Sequence, residues 1–258
     1  MATWTAHPLL GALAGLVCLC ALPGCGAVQS GGLVVVAAAS LGDAFTAIAR
    51  DWERETGTGR VQLSFAGSQV LAAQLRAGLR ADVVATANPE IMAGLLDDGL
   101  VREPVRFATN RLVWLVRSRD RASLGATLDA QTLTAAERVV LAAPEVPAGR
   151  YARQALRQLG LLEEAQVRLV SQELDVKGVI AKLLLGGADA GMTYATDVPA
   201  GRDELAVVGL PARVDVRASY LLAATSTPSD PQAARRFVEF VRGEHAAARL
   251  SALGFGRP

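Results

Sequence analysis

The chain has 258 residues, enough for one large domain or two of modest size. A formal net charge of +1 and a charged fraction of 20% exclude a strongly basic nucleic-acid binder and give no acidic tail. Hydrophobic residues make up 51% and aromatics 5%, so Ala, Val and Leu must fill the core.

Residues 9–22 form an apolar run without charge. Its length suits a signal-peptide core and falls short of the roughly 20 residues of a membrane span. The run ends in Leu22-Pro23-Gly24-Cys25, which reads as a lipobox whose Cys25 is acylated and becomes the mature N-terminus. The segment before Leu9 carries His7 but no Lys or Arg, a departure from the basic start of such peptides. Cys18, Cys20 and Cys25 all lie here, and residues 26–258 contain no cysteine. The mature body is therefore expected without disulfides, thiolate chemistry or Cys-bound metal. His245, the one histidine beyond the leader, reads as a surface residue of an alanine-rich helix.

Beyond a tether ending at Gly32, strand and helix alternate. Residues 33–38 are a continuous apolar run, as in a strand buried on both faces. A helix is expected from Ser40 to about Arg54, with Ser40 and Asp43 forming a capping box. Strand 61–65, helix 69–77, strand 83–86 and helix 89–96 follow. A second series opens near Asn110 with strands 111–116 and 139–143, helix 148–159, strand 167–170, helix 176–185 and strand 190–194. Strand 220–224 and helices 231–242 and 244–253 close the chain. Such βα repetition predicts an α/β protein with mostly parallel sheet and two lobes, the chain crossing between them more than once. The expected division is 1–24 signal peptide, 25–32 lipidated cysteine and tether, 33–109 first lobe, 110–214 second lobe, and 215–258 a return strand with helices of the first lobe. Ligands of such sheets bind beyond the carboxyl ends of strands, where helix N-termini point.

Five segments sit at those strand ends or helix starts: Ala37-Ala38-Ala39-Ser40, Phe65-Ala66-Gly67-Ser68, Val146-Pro147-Ala148-Gly149, Asp175-Val176-Lys177-Gly178 and Met192-Thr193-Tyr194. Helix N-termini carry about half a positive charge and unpaired amides, so several of them converging make an anion site without Arg or Lys. Singly, each has a plainer reading: Ser40 as an N-cap, Gly67-Ser68 as a turn, Pro147 as a first-turn proline, Tyr194 as packing.

Their order and spacing resemble the molybdate-binding proteins of bacterial ABC uptake systems across the length of the mature chain. Further matching text is Ala81-Asp82-Val83-Val84, Arg150-Tyr151-Ala152 and Gly191-Met192-Thr193-Tyr194. The resemblance implies a type II periplasmic-binding-protein fold, with two lobes, a two-strand hinge and the anion in the cleft. It further implies that the hydroxyls of Ser40, Ser68 and Tyr194 and the amides of Ala148 and Val176 hold the oxygens of molybdate or tungstate. No cofactor is implied, and the metal arrives as the oxyanion. The implied partners are the membrane permease of an ABC importer with its cytoplasmic ATPase and, through the lipid anchor, the outer face of the cell membrane or the periplasmic side. The binding protein is expected to be a monomer. Asn88, where the family usually has Asp, and Gln69, beside Ser68, depart from the pattern; Gln69 bears on the rim of the site.

Neutral donors suit a fully ionised oxyanion and leave the proton of hydrogen phosphate without an acceptor. Sulfate, another tetrahedral dianion on the same fold, is the alternative ligand. A serine hydrolase is the alternative of another class. His245 is the one candidate base beyond the leader, and no Gly-x-Ser-x-Gly elbow is present, so an enzyme is not expected.

Overall fold

The computed structural model describes Met1 and residues 32–57, 59–118, 120, 124–198 and 203–258. Gly31–Pro258 form one compact unit. The leader, Cys25 and the lipobox lie outside the described residues.

Nine strands among the described residues form one sheet in the order β2-β1-β3-β9-β4-β7-β5-β6, with β8 beside β4. On one side, β1 (Leu33–Ala38) is flanked in parallel by β2 (Val61–Ala66) and β3 (Val83–Thr86). On the other, β5 (Val139–Ala142) is flanked in parallel by β6 (Leu169–Glu173) and β7 (Ala190–Tyr194). Two antiparallel strands join these halves. The first, β4, runs unbroken from Val101 to Arg117. It pairs with β9 (Arg217–Thr225) through Arg111, and with β7 and β8 (Leu205–Val208) from Leu112 onward. Parallel strands need covered faces, and helices supply the cover.

Those helices are α1 (Gly42–Thr56), α2 (Ser68–Arg76) and α3 (Pro89–Asp97) in the first series. The second series contributes α4 (Ala130–Thr134), α5 (Pro147–Leu159), α6 (Leu162–Val167) and α7 (Val176–Leu184). The chain then closes with α8 (Pro231–Arg242) and α9 (Glu244–Ala252). Helix α1 shows how the sequence decides an element. Ala44, Phe45, Ile48, Ala49 and Trp52 recur at helical spacing and are all buried. Gly57 then stops the helix in the left-handed conformation, φ 59°. The buried stripe meets α8 and β4 through edge-on aromatic pairs: Phe45 with Phe107 at 5.7 Å and Trp52 with Phe237 at 5.5 Å.

Three expectations need correcting. Ser40 does not cap a helix: it sits in a 3-10 turn, Ala39–Leu41, and α1 starts at Gly42 without a side-chain cap. The 3-10 turn puts Ser40 inside a helical turn and leaves Leu41 at the cap position of α1, and the Ser40 oxygen accepts from the Tyr220 hydroxyl instead. The strand expected at 167–170 is shifted, because Val167 ends α6 and β6 begins at Leu169. The strand expected at 111–116 is the last third of a much longer one.

Asp82 is structural. Its carboxylate accepts from the Val34 amide at 2.7 Å and from the Ser229 amide and hydroxyl at 2.6 and 2.8 Å, tying β1 to the loop before α8. His245 is half exposed on α9, with Nε2 3.2 Å from Asp51 and Nδ1 3.5 Å from Glu55. Asp51 is buried and also bound by Arg249 at 2.8 Å and by Arg54. These partners outweigh burial and hold its carboxyl below the usual range. The cluster clamps α9 to α1.

Candidate anion site

The carboxyl ends of β1, β2, β3 and β7 and the N-termini of α2, α5 and α7 converge on one small cavity. Its lining comprises Ala38, Ala39, Ser40, Gly67, Ser68, Ala87, Val146, Pro147, Ala148, Asp175, Val176 and Tyr194, around a volume of about 20 Å³. That is below the ~300–1,000 Å³ of pockets for drug-sized organic molecules, so it suits a small ion. All five residues expected at the ligand, Ser40, Ser68, Ala148, Val176 and Tyr194, are in this lining. No Lys or Arg side chain lines it.

Each polar group is placed by its own local structure. Ser68 is the first residue of α2 and is 1% exposed; its Oγ accepts from the Ala87 amide at 3.0 Å. Ser40 Oγ accepts from the Tyr220 hydroxyl, also at 3.0 Å. In both serines an acceptor position is filled from behind, which leaves the proton to point forward. Pro147 opens α5 at the position where a missing N–H is harmless. Ala148 follows it, in the turn whose amides have no intrahelical acceptor. Gly149 lets that turn come close: a Cβ there would stand 2.1 Å from the Ala143 carbonyl oxygen and 2.3 Å from that of Ala142. Asp175 caps α7 by accepting from the Gly178 amide at 2.9 Å, and Val176 is the first residue of the helix. Three helices, α2, α5 and α7, therefore bring their N-termini, the positive ends of their dipoles, to the cavity.

Tyr194 ends β7, is 1% exposed, and its hydroxyl has no hydrogen-bond partner among the described residues. A buried, unpaired hydroxyl is unusual, because it forfeits about 1–3 kcal/mol. Burial, helped by the neighbouring Tyr220, Tyr151 and Asp197, pushes its pKa well above the ordinary tyrosine value, so it remains a donor. Three residues on, Asp197 is buried, and its Oδ1 forms an ion pair with Lys177 Nζ at 3.2 Å. Burial outweighs the lysine and raises its pKa to about 6.

Two neighbours escaped sequence reasoning. Ala87 lines the cavity and fixes Ser68, yet an alanine after a strand carries no signal. Tyr220 reaches Ser40 across 180 residues, a pairing visible only once the sheet order is known. Gln69 does not line the cavity; beside Ser68, its Nε2 donates to the Leu174 carbonyl at 2.8 Å. Asn88, the other departure, caps α3 by accepting from the Ile91 amide at 3.1 Å. No cluster of His, Cys, Asp and Glu able to hold a metal ion occurs among the described residues, and no described helix is long and apolar enough to cross a membrane.

Residues 33–256 match the family model for bacterial extracellular solute-binding proteins. The molybdate-binding protein ModA of Mycobacterium tuberculosis is 33% identical over 227 residues, 88% of this chain and 85% of that one. ModA of Escherichia coli K12 is 30% identical over 257 residues, 97% of this chain and 98% of its own. Among solved structures, the periplasmic molybdate-binding protein of Azotobacter vinelandii superposes with a TM-score of 0.75 at 22% identity, covering 88% of this chain and 99% of that one. The shared architecture is the expected type II periplasmic-binding-protein fold.

Proposed function

The chain belongs to the bacterial extracellular solute-binding proteins, and we propose that its cavity captures molybdate, and tungstate with it, for delivery to an ABC importer. One observation supports this reading: Ser40, Ser68, Ala148, Val176 and Tyr194 line one cavity of about 20 Å³ with no lining Lys or Arg, and the Tyr194 hydroxyl is buried without a hydrogen-bond partner among the described residues. In this assignment Ser40, Ser68 and Tyr194 donate through hydroxyls, and Ala148 and Val176 through amides. Each such bond to a charged acceptor contributes about 1.5–3 kcal/mol. The names of the relatives over most of the chain favour molybdate over sulfate.

Residues 33–109 with 215–258 would form one lobe and 110–214 the other, hinged where β4 changes partners at Arg111 and Leu112. Ser40 and Ser68 then close against Ala148, Val176 and Tyr194. In this reading the protein is a monomeric carrier; among the described residues no histidine lines the cavity with Ser40 and Ser68. Acylation at Cys25 would hold it at the membrane face where a permease and its ATPase receive the load.

Thermal melts of the purified mature chain with a panel of oxyanions test the reading. Molybdate and tungstate are expected to stabilise strongly, by about 4.1 kcal/mol at a thousand times Kd, and sulfate and phosphate little. An equal shift with sulfate refutes the choice of ligand. Cys25→Ser should move the protein out of the membrane fraction; equal retention refutes the anchor.

A further inference from the structure

We infer that Tyr220 and Asn110, which lie outside the cavity lining, are positioning residues that fix the Ser40 hydroxyl as a donor toward the bound oxyanion. The inference rests on the oxyanion reading above.

The polarity can be followed from the backbone. The Arg111 amide donates to Asn110 Oδ1 at 2.9 Å, so that end of the carboxamide is the oxygen. Asn110 Nδ2 must then face Thr196 Oγ1, at 2.8 Å, and the Tyr220 oxygen, at 3.3 Å. Having accepted from Asn110, the Tyr220 hydroxyl donates its proton to Ser40 Oγ at 3.0 Å. A serine hydroxyl has a single proton. With Tyr220 donating to the oxygen, that proton turns away from Tyr220 toward the cavity that Ser40 lines.

The surroundings prevent reversal. Tyr220 is fully buried, its ring held edge-on by Phe255 at 5.5 Å, Tyr194 at 5.9 Å and Phe107 at 6.2 Å. Burial, with the negative charge of Asp197, raises its pKa far above that of free tyrosine and keeps the proton on. Chains of donors polarise one another, so the last hydroxyl strengthens as an anion donor. Ser68 receives the same polarity by another route, from the Ala87 amide.

The consequence is selectivity. A free serine hydroxyl either donates or accepts. With both serines fixed as donors, a fully ionised oxyanion is matched, and one that carries a proton meets a second proton where it needs an acceptor. Asn110 sits where β4 passes from β9 to β7, so the relay also couples the crossing strands to the ligand.

The test is a double-mutant cycle read by calorimetry on the mature chain: wild type, Tyr220→Phe, Ser40→Ala and the double variant, each titrated with molybdate and with inorganic phosphate. Tyr220→Phe keeps the ring, and unliganded melts report its fold. It is expected to weaken molybdate binding about tenfold, ~1.4 kcal/mol, and phosphate binding less, so the molybdate-to-phosphate affinity ratio falls. In the Ser40→Ala background it should cost nothing more. Where Tyr220→Phe melts early, Asn110→Ser, which removes the amide donor upstream, must produce the same fall in ratio. Additive losses in the cycle, or an unchanged ratio, overturn the inference while the functional reading stands. Wild type that binds no oxyanion overturns both.

Discussion

The Gln69 side chain donates to the Leu174 carbonyl oxygen at 2.8 Å, joining residues 105 positions apart and bridging the start of α2 to the loop before α7. The crossing is tight: a Cβ on Gly67 would lie 2.5 Å from that same oxygen. Because Gln69 and Leu174 adjoin the lining residues Ser68 and Asp175 without lining the cavity themselves, the bond is expected to bear on escape more than on entry. Gln69→Ala is expected to raise the dissociation rate of molybdate about 2- to 12-fold, the equivalent of ~0.5–1.5 kcal/mol for one hydrogen bond, with little change in association. Stopped-flow measurement of both rates checks this; an unchanged dissociation rate removes Gln69 from any part in escape.

Tyr194→Phe separates binding from folding. Tyr194 lines the cavity and its hydroxyl has no hydrogen-bond partner among the described residues, so the unliganded protein loses nothing when the hydroxyl is removed. Stability without ligand should hold or rise slightly, because an unpaired buried hydroxyl is unfavourable. Affinity for molybdate should fall roughly 10- to 150-fold, the loss of one hydrogen bond to a charged acceptor. Calorimetry and unliganded melts give the two numbers. A large drop in unliganded stability would instead make Tyr194 a packing residue.

Gly149→Ala tests the approach of α5 to β5. A methyl group there meets two carbonyl oxygens of the backbone, at 2.1 and 2.3 Å, which no rotamer change relieves. The variant should be destabilised by about 1–3 kcal/mol, as for overpacking, and should also bind more weakly because the Ala148 amide is displaced. Urea unfolding and a molybdate titration measure both; a variant as stable as wild type would show that the helix start can shift freely.

What the sequence made legible was local. The apolar run at 33–38, the helical stripe of Phe45, Ile48 and Trp52, and the proline at the start of α5 each state their element within a few residues. The segments carrying Ser40, Ser68, Ala148, Val176 and Tyr194 could be placed at strand ends for the same reason, and the structure gathers them at one cavity. The rest was long-range. Ser40 was read as a helix cap because spacing shows Asp43 and cannot show Tyr220, 180 residues away. The full span of β4 was hidden because its first part, Val101 through Arg111, pairs with β9, where the exposed Arg102, Glu103 and Arg106 interrupt the apolar pattern. Ala87 and Leu174 act through backbone atoms, which sequence does not distinguish.

Asp197 makes stability depend on pH in a direction opposite to that of a salt-bridged carboxylate. Its side chain is buried, and burial outweighs the Lys177 ammonium that pairs with it at 3.2 Å. The folded pKa is therefore raised, from 3.8 to about 6. Between those values the folded state binds more protons than the unfolded one, so stability falls as pH rises through this window. Its contribution is fully present below pH 3.8 and lost above about 6. Asp197→Asn mimics the protonated form and removes the slope. It should be more stable than wild type above pH 6.5 by about 1–3 kcal/mol, and the difference should shrink toward zero as the pH approaches 4. Other carboxylates titrate equally in both proteins, so subtracting the two curves isolates this group. The charge of Asp197 also raises the pKa values of Tyr194 and Tyr220, which places it within electrostatic reach of the cavity. Removing it should therefore tighten molybdate binding at pH 7.5 as well. Chemical unfolding of both proteins from pH 4 to 8 decides the matter: a difference that grows as the pH falls would mean that Lys177 pairing outweighs burial and that the carboxyl is stabilised in its ionised form.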